Sequence, residues 1–109
     1  MTIMFCAFEG NPLILRLYGT AVAHHERDAT FQKHITLFDY VDGARQIIEM
    51  EVEMVQTSCG YAVPMMDFQE ERTLLQNWTK KKGEAGIKAY WKERNQQSID
   101  GFETGILGE

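Results

Sequence analysis

Apolar and polar positions alternate most regularly from Ile48 onward, where Ile48, Met50, Val52 and Met54 interleave with Glu49, Glu51 and Glu53. A period of two marks a strand with one dry and one wet face, so the pattern predicts a strand over residues 46–58 that buries its methionine and branched side chains. Residues 2–8 form a nearly continuous apolar run closed by Glu9-Gly10-Asn11-Pro12, which predicts a strand buried on both faces and followed by a turn. Leu13, Leu15 and Leu17 alternate with Ile14, Arg16 and Tyr18, so a second strand over residues 13–23 forms a hairpin with the first. Gly19 falls inside this strand, where a bulge or a close approach of two backbones is expected.

Helical spacing appears in three places. Asp28 is a candidate N-cap for a helix over residues 28–38 with Phe31, Ile35 and Phe38 on one stripe, and Asp39-Tyr40-Val41-Asp42-Gly43 breaks it. Asp67 is a candidate cap for a second helix over residues 67–82 that carries Phe68, Leu74, Leu75 and Trp78. Lys80, Lys81 and Lys82 complement its dipole before Gly83 stops it. A third helix over residues 84–95 places Ile87, Tyr90 and Trp91 on one side, and the polar tail from Gln96 is expected to be draped or loose. These elements read as one domain spanning residues 1–109, of α+β class and mainly β.

Composition narrows the partners. The chain has 109 residues, 44% of them hydrophobic and 25% charged, as a globular domain has and a disordered segment does not. A net charge of -5 gives no general attraction to nucleic acid or to an anionic membrane, so neither is expected as a partner. No apolar run reaches the length of a membrane span, and the opening Met-Thr-Ile-Met lacks the basic start and cleavage site of a signal peptide; a cytoplasmic protein is expected. Cys6 and Cys59 are too few for a disulfide scaffold and fit no zinc spacing, so both are expected to be reduced. Charge is segregated along the chain. Residues 39–71 hold eight acids against Arg45, and residues 72–94 hold seven bases against Glu84 and Glu93.

Candidate chemistry gathers at the end of the alternating strand, in Gln56-Thr57-Ser58-Cys59-Gly60-Tyr61-Ala62-Val63-Pro64. Thr57, Ser58 and Cys59 offer small polar groups, Gly60 permits close backbone approach, and Tyr61 adds a flat amphipathic ring. Such a junction serves either as a ledge for a ligand or as a strand terminus closed by a glycine turn, and both readings stand. His24-His25-Glu26 with His34 suggests a metal, but neighbouring residues on a strand point to opposite sides, so no metal site is expected. Cys59 has no adjacent base or cation to activate it and reads as a packed thiol. Phosphate loops, dinucleotide fingerprints and a Ser-His-Asp arrangement are all missing from the sequence.

Ile3-Met4-Phe5-Cys6-Ala7-Phe8-Glu9-Gly10, Leu15-Arg16-Leu17-Tyr18-Gly19, the junction just quoted and Ser98-Ile99-Asp100-Gly101 together resemble, in order and spacing, the pyridoxamine 5′-phosphate oxidase-related family of FMN-binding split barrels. The likeness runs from Thr2 to about Gly101 and corresponds to the C-terminal portion of the family, since Met1 falls where members are already inside the barrel. Their leading strands and helix, which supply much of the grip on the flavin phosphate, have no counterpart. The resemblance implies a partial split β-barrel with flanking helices, FMN as cofactor, and a homodimer with flavin at the subunit interface. It places Ser58, Cys59, Gly60 and Tyr61 facing the flavin or the interface. Arg16, on the outward parity of its strand, is the candidate for contact with an anionic group; a surface ion pair is the other reading of Arg16. Catalytic residues stay unassigned. Two functions follow: a flavin-dependent oxidoreductase acting on a small molecule, or a shortened derivative that has lost FMN and serves as an oligomerising or binding module. A variant of either has another chain supplying the missing strands.

Overall fold

The computed structural model describes residues 1–39 and 42–108. In order, the elements are β1 (Thr2–Cys6), β2 (Leu13–His25), α1 (Ala29–His34) continued by one 3-10 turn (Ile35–Leu37), β3 (Gln46–Cys59) and α2 (Leu74–Arg94). The expected break at residues 39–43 includes Tyr40 and Val41, which lie outside the described residues. The strands form one antiparallel sheet in the order β1-β2-β3, giving an α+β fold whose sheet does not close into a barrel among the described residues. Two compact units make up the chain: Met1–Ala23 with Ile48–Glu71, and His24–Ile47 with Arg72–Glu109.

In the first unit, β1 and β2 form the expected hairpin, with Thr2 opposite Tyr18, Met4 opposite Arg16 and Cys6 opposite Ile14. Paired residues share a face, so Ile3, Phe5, Leu15 and Leu17 lie on one side, and Met4 and Arg16 on the other. Side-chain hydrogen bonds tie β2 to β3. Arg16 Nη1 donates to Ser58 Oγ at 3.1 Å, the Tyr18 hydroxyl to Gln56 Oε1 at 3.0 Å, and the Thr20 hydroxyl to Glu53 Oε1 at 2.7 Å.

Gly19 passes so close to β3 that a Cβ would collide with the carbonyl of Glu51. Of the bulge or close backbone approach expected at this glycine, the structure has the close approach.

Burial on the sheet departs from the sequence reading. Met50 is half-buried, but Ile48, Val52 and Met54 are 44, 46 and 53% exposed, so the apolar parity of β3 is largely uncovered. On β1, Met4 and Phe5 are each more than half exposed, where both faces were expected to be dry. Alternation reports which side chains share a face. It carries no information on whether anything lies against that face.

A second correction concerns residues 67–73. Asp67 caps no helix, because the segment after Pro64 stays non-helical until Leu74 and the Met66 N–H donates to the Phe8 carbonyl at 3.0 Å. That bond ties the segment to the end of the β1 hairpin, and Phe68 is left 79% exposed.

In the second unit, α1 is shorter than its apolar stripe suggests. The Asp28 carboxylate accepts from the backbone N–H of His25 at 2.7 Å and makes no cap bond to the helix. Phe31 is buried, but the chain turns extended at Phe38 and leaves that ring exposed. Gly83, at φ 64 and ψ 171, breaks α2 into two helical segments, as expected of a stop followed by a second helix. Ile87 and Trp91 from the second segment pack with Ile106 as the buried apolar cluster.

Ile106 belongs to the tail expected to be draped or loose, and of the two the structure has it draped and fastened: Gln97 bridges Glu103, the Thr104 hydroxyl donates to the Asn95 carbonyl at 2.5 Å, and Arg27 donates to the carbonyls of Gly105 and Ile106 at 2.8 and 2.9 Å. The sequence hides the Arg27 clasp because its partners are backbone carbonyls 78 and 79 residues away.

Two glycine substitutions are expected to act with opposite sign in equilibrium urea unfolding. Gly19→Ala lowers stability by more than about 2 kcal/mol through overpacking against Glu51. Gly86→Ala, whose Cβ would meet only the Lys82 side chain at 3.4 Å and beyond, raises it by about 0.5–1 kcal/mol through helix propensity.

Candidate functional site

The polar face of the first unit's sheet brings together side chains that are far apart in sequence. Arg16 projects from the middle of β2 with Met4 across from it on β1 and Ser58 of β3 within hydrogen-bond reach of its guanidinium. The guanidinium is part-buried and spends one donor on Ser58, and no acidic side chain among the described residues pairs with it. A guanidinium offers five N–H donors in a rigid fork suited to a phosphate or carboxylate, so most of the fork of Arg16 is available. Ser58 adds a hydroxyl beside it. Tyr18 and Gln56 continue the same row.

Among the five residues singled out from the sequence, the structure brings only Arg16 and Ser58 into contact. Cys59 follows Ser58 on the strand and so points to the other face; it is exposed and, like Cys6, unbridged. Gly60 is buried, and a Cβ there would come within 2.7 Å of the Leu13 nitrogen, so the close approach that it permits is to its own chain. Tyr61 is 85% exposed in the turn that follows, which is closed by the Val63 N–H donating to the Gly60 carbonyl at 2.9 Å. Tyr18 and Gln56 were not singled out. Their signal was available as parity, since Tyr18 follows Arg16 by two and Gln56 precedes Ser58 by two.

His24 and His34 stack with ring centroids 6.2 Å apart, and no group of three or more potential metal-ligand side chains converges among the described residues. No helix among them is long and apolar enough to cross a membrane. In the first unit a shallow cavity lined by Cys6, Phe8, Met66 and Phe68, among others, does not include Arg16 or Ser58.

Comparison with known proteins bears on this face. Over 69 residues, 61% of the chain, the sequence is 38% identical to "Pyridoxamine 5′-phosphate oxidase family protein ustO" of Aspergillus flavus. The resemblance to the pyridoxamine 5′-phosphate oxidase-related family holds. The matched stretch covers 27% of the Aspergillus protein's length, so the likeness is to a portion of that protein. No family model matches the chain, and no solved structure matches it.

Thiol accessibility offers a direct check on the geometry around Ser58. With an aromatic disulfide reagent, the native protein is expected to release one equivalent quickly from exposed Cys59 and a second more slowly from half-buried Cys6. Cys59→Ser removes the fast phase; loss of the slow phase instead would reverse the placement of the two thiols.

Proposed function

We propose that the chain is an FMN-binding protein of split-barrel type that works as a homodimer in flavin-dependent oxidation or reduction of a small molecule. The observation that carries this reading is the Arg16–Ser58 pair, a part-buried cation without a carboxylate partner among the described residues and with a hydroxyl at 3.1 Å. These residues fit a phosphate: Arg16 offers charge-assisted donors and Ser58 a neutral one. When bound, a flavin supplies the hydride or electron transfer itself, and the protein's part is to bind and orient it. Arg16 and Ser58 would hold the anionic end, with the Tyr18–Gln56 pair keeping the neighbouring row of the sheet in place. Family likeness to the Aspergillus protein supports the same reading.

The dimer rests on the sheet. β1 and β3 are its outer strands, and Met4, Phe5, Val52 and Met54 present exposed apolar side chains along them. Outer strands with apolar side chains are templates for pairing with a second chain, and covering them removes apolar area from water at roughly 25 cal/mol per Å². No cavity described above surrounds Arg16, so a ligand held there gains cover from a second copy.

A second reading is a cofactor-free binding or oligomerising module. It is favoured by Gly60, whose open approach is taken by the chain's own Leu13, and by Tyr61, whose ring lies in solvent.

The visible absorption spectrum of the purified protein separates the two readings. Flavin bands, or uptake of added FMN, support the first, and Arg16→Ala is then expected to weaken FMN binding roughly ten- to a hundredfold by losing charged hydrogen bonds. A colourless protein that takes up no FMN supports the second. Analytical ultracentrifugation is expected to find a dimer at micromolar concentration; a soluble monomer with a cooperative melt would contradict the dimer.

A further inference from the structure

A cavity of about 600 Å³ opens within the second unit, walled by α1, the 42–44 turn and α2. Its size is that of ordinary ligand pockets, which run from about 300 to 1,000 Å³. Phe31, Ile87 and Trp91, three of the unit's few buried apolar side chains, line it. At the turn, a Cβ on Gly43 would lie 3.2 Å from Thr79 Cγ2, so this turn sits hard against α2 in the cavity wall.

The charged groups are unbalanced. Glu26, Asp42 and Glu84 face Lys80 and Lys88 around the cavity. Lys88 is already engaged, 2.8 Å from Glu84 and 3.9 Å from Glu26. Its hydrogen bond holds the Glu84 carboxyl below the usual carboxylate range, and the same bond, with the charge of Glu26, raises Lys88. Asp42 is half-buried and forms no hydrogen bond or ion pair with the described residues. Lys80 is exposed and keeps its hydration. A half-desolvated carboxylate gains more from a partner than a hydrated ammonium does.

We propose that this cavity is a binding site for a small organic amine, with an aromatic or branched apolar body seated on Phe31, Ile87 and Trp91 and its ammonium directed to Asp42. The site involves neither Arg16 nor Ser58 and stands whether or not the chain binds FMN.

Isothermal titration calorimetry of the full chain with 2-phenylethylamine, 2-phenylethanol and 3-phenylpropionate tests the proposal with three probes of similar size. The amine is expected to bind roughly three- to tenfold more tightly than the other two. Asp42→Asn is expected to remove that preference while leaving the alcohol unaffected. Ala44→Trp, at a half-exposed position on the wall, is expected to block all three probes with unchanged circular dichroism. If Ala44→Trp fails to fold, Asp42→Asn alone decides. Equal binding of the three probes, tightest binding of the propionate, no heat from any probe at millimolar concentration, an amine preference that survives Asp42→Asn, or unchanged amine binding by a folded Ala44→Trp variant overturns the proposal.

Discussion

Gly19 and the carbonyl of Glu51 stand so close that no side chain fits between them, and the first unit's sheet is arranged around that contact. With β2 and β3 held backbone to backbone there, side chains of the two strands meet in a row that joins Thr20 to Glu53, Tyr18 to Gln56 and Arg16 to Ser58. Backbone packing thus helps set the place of the one cation that the sheet leaves without an acid among the described residues.

Local order was legible in the sequence where the determinants are local. The turn at Gly10-Asn11-Pro12, the alternation on either side of it and the glutamate ladder of β3 gave the hairpin and the long strand to within two or three residues at each end. Gly83 announced the break in α2 because a positive φ is what glycine supplies. Asp28 does stand at the N-cap position of α1, although its carboxylate turns back to His25 instead of bonding the helix. Asp67 misled, because it sits in a segment that a backbone bond from Met66 to Phe8 keeps out of the helix. A contact between distant residues decided that case, and a single sequence records no such contacts.

The same limit applies to the site. Arg16 and Ser58 were each visible as polar residues on a strand, but their meeting depends on the register of β2 against β3, which joins residues 42 apart in sequence. Cys59, Gly60 and Tyr61 are neighbours of Ser58 in sequence and diverge from it in space, one by strand parity and two by the turn. A contiguous motif on a strand splits between two faces, so the residues that act with Ser58 lie across the sheet from it.

Arg27 has a quieter consequence. It fastens the tail through two backbone carbonyls, with the nearest carboxylate contact, Asp28, at the looser distance of 3.9 Å. A guanidinium stays charged at any pH that a folded protein meets, and a peptide carbonyl does not titrate. The clasp that seats Ile106 beside Ile87 and Trp91 therefore has no acid or base to lose. Acidification that neutralises the carboxylates elsewhere in the chain leaves this attachment with all of its donors and acceptors.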